Sequence, residues 1–148
     1  MTDKELVLET LKRSGKIVAQ SIQDRAKDMT GTELNAEDSY IPKFSEAVKK
    51  MNMLERPVGF VCKSSAGRVV RLIQNYDSNI YTGEPEELPA QFGFVWSKDP
   101  SKALPFVAIS TSPYMTGECC TENDIVYKSK IDNNVHSPEA YPDGWEAV

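Results

Sequence analysis

The chain has little cysteine and almost no histidine. Cys62, Cys119 and Cys120 are its three thiols, and His136 is its one imidazole. An odd cysteine count without regular spacing is no disulfide framework, and no C-x-x-C occurs. A closed zinc site would need all four of these side chains, two of them adjacent in sequence, so no metal is expected. No phosphate-binding G-x-x-x-x-G-K-[ST] and no G-x-G-x-x-G is present. No apolar run approaches the ~20 residues of a membrane-spanning helix. The start, Met1-Thr2-Asp3-Lys4-Glu5, lacks the basic and apolar regions of a secretion signal. Synthesis in the cytoplasm is the expectation, with free thiols. Positive charge is also scarce: 17 basic against 22 acidic residues give −5 over 148 residues. An acidic chain is a poor binder of phosphate backbones and anionic lipid, so neither nucleic acid nor membrane is an expected partner.

What is present divides near residue 57. Residues 1–56 carry ten basic and ten acidic residues, and residues 57–148 carry the whole net charge. Eleven of the thirteen aromatics and eight of the nine prolines follow Arg56. This is a change from helix-forming to strand-and-turn composition. Leu8, Leu11, Gly15, Val18, Ile22, Ala26 and Met29 recur at three- and four-residue spacings, which predicts a helix over 3–29. Thr2 or Asp3 is placed to cap it, and Gly31 to stop it. A second helix is predicted from Pro42 or Lys43 to Met53. The stripe reads as a packing surface. Leu11, Val18 and Ile22 are expected to be buried, either on the rest of the chain or in a partner.

The second part contains an internal match. Pro85-Glu86-Glu87-Leu88-Pro89-Ala90-Gln91-Phe92-Gly93-Phe94-Val95 and Pro138-Glu139-Ala140-Tyr141-Pro142-Asp143-Gly144-Trp145-Glu146-Ala147-Val148 share P-E-x-Φ-P-x-x-aromatic-x-x-V. Upstream, Arg68-Val69-Val70-Arg71 aligns with Asp124-Ile125-Val126-Tyr127. Two tandem modules follow from this, with hairpins at 60–73 and 118–128. Further strand is expected at Phe94–Trp96 and Phe106–Ile109. The fold class expected is α+β: a helical segment (1–56), then two small antiparallel β modules (57–107 and 108–148).

Tyr114, Gly117, Asn123, Tyr127, Pro138, Pro142 and Trp145 resemble the chitin-binding modules of carbohydrate-binding families 5 and 12. Residues 57–148 also resemble phage minor tail or tail-fibre-associated proteins, in which helices precede such modules. The resemblance implies a virion-associated structural protein. It also implies a sugar-binding face drawn from Tyr127, His136, Tyr141 and Trp145, with Trp145 mainly in the core. Polysaccharide would be the ligand. His136 occupies the position of the family's stacking tryptophan, Gly83 its counterpart in the first module, and Ala108 that of another tryptophan. In the first module, Val58, Val61 and Arg71 align with Tyr114, Gly117 and Tyr127.

Chemistry is less well supported than binding. Glu84, Glu86 and Glu87 cluster in a proline-flanked loop, where acids are usually solvated. Cys62 or Cys119 with His136 could form a dyad, but no third orienting group is recognisable. No catalytic residue, cofactor or metal is therefore assigned. Two readings remain: a structural assembly protein that associates with itself or with other tail proteins through its N-terminal helix, and a glycan-binding protein.

Overall fold

The computed structural model describes residues 2–148. Helix α1 (Asp3–Arg25) starts in a capping box, in which the Thr2 hydroxyl accepts from Glu5 N while the Glu5 carboxylate accepts from Thr2 N. It ends in a 3-10 turn (Ala26–Asp28). The helical path ends at the extended Met29 and Thr30, ahead of Gly31, so the glycine is not the stop. It opens α2 (Gly31–Ala36), capped by a second box between Thr30 and Glu33. The predicted second helix is short, α3 (Phe44–Lys50), and the chain beyond Met51 turns.

Among the described residues seven strands follow, in two sheets. The first is β1 (Val61–Lys63), β2 (Val69–Leu72) and β3 (Phe92–Phe94), all antiparallel in that order. The second is β4 (Leu104–Pro105), β5 (Cys119–Glu122), β6 (Ile125–Ser129) and β7 (Trp145–Ala147). The architecture is α+β as expected, with one departure: β4 runs parallel to β5. Phe106–Ile109 is not strand. Phe106 and Val107 both pack on the core, which the alternation of a flat strand forbids. The strand expected at Phe94–Trp96 begins two residues earlier.

Alternation explains how the first sheet is covered. Val61 and Val69 face α1 and α2, joining Ile22, Ala26, Met29, Leu34 and Ile41. Cys62, Val70 and Leu72 face the other way. There they join Phe44 and Ala47 of α3, Phe92, Phe94, and Cys120 and Trp145 of the second sheet. One apolar cluster therefore spans both sheets. Its middle is an aromatic stack: Trp96 lies on Tyr114 at 4.3 Å, and Phe106 on the same tyrosine at 5.5 Å.

Polar side chains fasten the elements where strand partners are missing. Gln23 offers its amide to the free edge of β1, donating to Val61 O (2.7 Å) and accepting from Val61 N (2.9 Å). The Arg71 guanidinium donates to the carbonyls of Ala26 and Met29, where the helical path ends. Arg68 donates to Glu86 (3.2 Å) and to Pro105 O (2.7 Å), joining the first hairpin to β4. Glu86 also accepts from the Ser64 hydroxyl (2.6 Å), and Glu84 from Ser65 N (2.8 Å). Glu84 and Glu86 thus tie down the hairpin rather than standing free in water.

The two sheets share a backbone pattern. Gly59 N donates to Leu72 O, as Gly117 N does to Ser129 O. Both glycines have positive φ, +96° and +91°, which side-chain-bearing residues rarely adopt. Cys62 pairs with Val70 as Cys120 pairs with Tyr127. The positional match is therefore Val70 with Tyr127, one residue from the Arg71 alignment made on sequence. Gly117 corresponds to Gly59, not Val61. Downstream, Gln91 N donates to Leu88 O as Gly144 N does to Tyr141 O, and Phe92 and Trp145 each open the last strand.

The N-terminal half of α1 stands off this body. Ile22 is 1% exposed and Val18 half-buried, but Leu11 is 63% exposed and Leu8 50%. The expectation that Leu11 is buried within the chain is not met. The body ends beneath Val18, so residues 3–17 project by roughly 20 Å at 1.5 Å per residue.

Candidate functional site

The residues singled out for sugar binding lie around the loop that joins β6 to β7. Its hub is Asn134, fully buried. Its amide donates to the Ser129 hydroxyl (3.1 Å) and to Gly144 O (3.2 Å), while its carbonyl oxygen accepts from His136 N (3.2 Å). Its backbone forms a bridge with Tyr114. The preceding Asn133 takes a positive φ of 55° that asparagine tolerates better than most residues. Asn134 was missed on sequence. The Asn133-Asn134 pair signals a turn, but nothing in the sequence says that the second asparagine is buried.

The loop sets His136 and Tyr141 edge to face, with ring centroids 5.8 Å apart. Both are exposed, Tyr141 by 40%. Trp145 is 5% exposed and meets Tyr114 and Phe106 edge to face. Its indole N–H donates to His136 O (2.7 Å). The indole thus supports the loop from below and offers no face to a ligand. Tyr127 is half-buried on β6 opposite Ala147 and packs against the core. Of the four residues, the structure brings His136 and Tyr141 together at the surface and places Tyr127 and Trp145 beneath. The surface pair presents two rings with polar edges, set edge to face, at the solvent boundary of the loop.

The thiols lie apart from this pair. All three are free and buried. Burial pushes the Cys62 and Cys120 thiols up to about 12 and raises that of Cys119, which disfavours the nucleophilic thiolate. The Cys119 thiol lies 3.5 Å from Gly117 O, directed at backbone and not at an imidazole. Among the described residues no three His, Cys, Asp or Glu side chains gather into a metal-binding group, and no helix is long and apolar enough to cross a membrane.

Comparison with family models, curated proteins and solved structures finds no match to the chain.

Proposed function

We propose that this is a non-catalytic structural protein of a phage tail-type assembly, joined to a second copy of itself through the N-terminal half of α1. One observation carries the reading. The face of α1 that buries Ile22 and Ala26 in the body, with Val18 at its margin, continues along Gly15, Leu11 and Leu8, and both leucines are half or more exposed. The 3-4-3-4 spacing of Leu8, Leu11, Gly15, Val18 and Ile22 suits a partner helix, and Gly15 leaves room for close approach. An apolar side chain returned to a dry interface contributes on the order of 1.5 kcal/mol or more. The tail assignment rests on the resemblance of residues 57–148, and virion association follows from it.

Sedimentation of the full chain tests self-association. The wild type should sediment as an oligomer at tens of micromolar. A Leu8→Asp/Leu11→Asp variant should sediment as a folded monomer whose melting temperature no longer rises with protein concentration, since neither side chain packs within the chain. A monomeric wild type, or a variant of unchanged mass, overturns the reading.

The exposed His136–Tyr141 pair favours a second reading, weak binding to a chitin-like polysaccharide. Imidazole is a smaller platform than indole. His136→Trp should therefore strengthen retention on insoluble chitin by about tenfold, the equivalent of ~1.4 kcal/mol. Equal failure of wild type and His136→Trp to bind chitin or purified cell wall would remove this reading.

A further inference from the structure

A site of different chemistry lies against the turn of the first hairpin. Lys43, just ahead of α3, forms a parallel bridge with Lys63 at the end of β1, and Lys63 N donates to Pro42 O (2.9 Å). Like charges at directly opposed bridge positions destabilise a pairing. Among the described residues, neither lysine forms an ion pair that would offset this. Both line a cavity of about 590 Å³, together with Lys102, Ser45 and Ser65. Asp38 is the one carboxylate on its wall, and it is paired with Lys102 at 3.3 Å. The hydroxyls of Ser45 and Ser65 make no hydrogen bond among the described residues, which leaves them free to donate. On its far side the same lysine pair lines a second cavity of about 650 Å³, where Lys16, Lys50 and Arg56 face one carboxylate, Glu46. Positive charge is therefore concentrated in adjoining concave surfaces of a chain whose net charge is −5.

We infer that the cleft around Lys43, Lys63 and Lys102 binds a compact, multiply charged oxyanion of the oligophosphate class. The cavity is of small-ligand size. Ammonium groups serve as point-charge partners for phosphate oxygens, with serine hydroxyls as additional donors. The concave shape and acidic remainder of the chain fit a short anion better than a long polyanion, which would meet repulsion beyond the cleft. This site is independent of both α1 association and the His136–Tyr141 platform.

Calorimetric titration of the full chain with tripolyphosphate at low ionic strength tests it. The wild type should bind. Lys43→Gln/Lys63→Gln should weaken binding by about tenfold or more. Lys12→Gln/Lys130→Gln, which removes the same charge away from the cleft, should leave it within about twofold. Asp38→Asn should tighten it, because the carboxylate that competes for Lys102 is gone. Circular dichroism of each variant ensures that folded proteins are compared. Absence of binding to the wild type, or equal losses in the two lysine pairs, would overturn the site. Tighter binding of a single-stranded oligonucleotide than of tripolyphosphate would overturn the ligand class.

Discussion

Trp145→Ala is expected to lower the stability of the protein by about 3–5 kcal/mol, the usual cost of removing a large aromatic side chain from a core. For a chain of this size that corresponds to a fall in melting temperature of roughly 10–15 °C. Two losses combine. The indole is 5% exposed and stands edge to face with Tyr114 at 5.3 Å and Phe106 at 6.0 Å, so its removal opens a void beside the aromatic stack. Its N–H also donates to His136 O at 2.7 Å, the link between strand β7 and the loop that carries His136 and Tyr141. Trp145→Phe separates the two. It keeps much of the packing and drops the hydrogen bond, worth about 1 kcal/mol, so its melting temperature should fall between those of wild type and Trp145→Ala. If Trp145→Ala melts with the wild type while losing polysaccharide retention, the indole is a ligand contact and not a core residue.

The legible part of this fold is the part set by local pattern. The stripe from Leu8 to Met29 placed α1 and its 3-10 extension to within a residue. The paired P-E-x-Φ-P segments each turn into a last strand through one equivalent hydrogen bond, Gln91 N to Leu88 O and Gly144 N to Tyr141 O, although their 3-10 turns, Pro85–Glu87 and Pro142–Gly144, fall at different positions of the match. Long-range partners were not legible. Nothing near Leu11 indicates that the body ends beneath Val18. The one-residue error between Arg71 and Tyr127 has a physical origin as well. The first hairpin turns through three residues, Ser65 to Gly67, whereas the second turns through Asn123 and Asp124, both at positive φ as a type I′ turn requires. A difference of one residue in a loop shifts register, and a shift of one exchanges the faces of a strand. Arg71 thereby faces the helices, while Tyr127 faces the shared core.

The surface platform was legible as residue types and not as geometry. His136 and Tyr141 stood out as polar-edged rings in a turn-rich stretch. Their edge-to-face placement depends on Asn134, whose three side-chain hydrogen bonds reach residues on both sides of the loop. The lysine cleft was hidden for a similar reason. Lys43, Lys63 and Lys102 are far apart in a chain whose average charge is negative, and only the bridge between Lys43 and Lys63 brings two of them side by side.

Gly31→Ala is expected to destabilise the protein by about 1–3 kcal/mol, the range for overpacking a filled site, with a fall in melting temperature of several degrees. Helix propensity argues the other way, since alanine is favoured over glycine in a helix by about 0.5–1 kcal/mol. Geometry decides the sign. A Cβ on Gly31 would lie 2.3 Å from the Trp96 carbonyl oxygen and 3.1 Å from Trp96 N, and neither is the end of a flexible side chain. Moving α2 away is itself costly. Asn35 donates to Val95 O (3.1 Å), and Lys98 N donates to the Thr32 hydroxyl (3.0 Å), so α2 is fastened on both sides of the clash. Trp96 in turn lies on Tyr114, which carries the strain toward the aromatic stack. On sequence this glycine read as a helix stop; in the structure it is the first residue of a helix pressed against backbone. Gly15→Ala, melted at a concentration low enough for the chain to be monomeric, supplies the control. No atom lies within 4 Å of the added carbon there, so the same chemical change should leave the melting temperature unchanged or slightly raised. Thermal melts of both variants beside wild type are the measurement. A Gly31→Ala protein as stable as Gly15→Ala would mean that α2 does not approach Trp96 as closely as described.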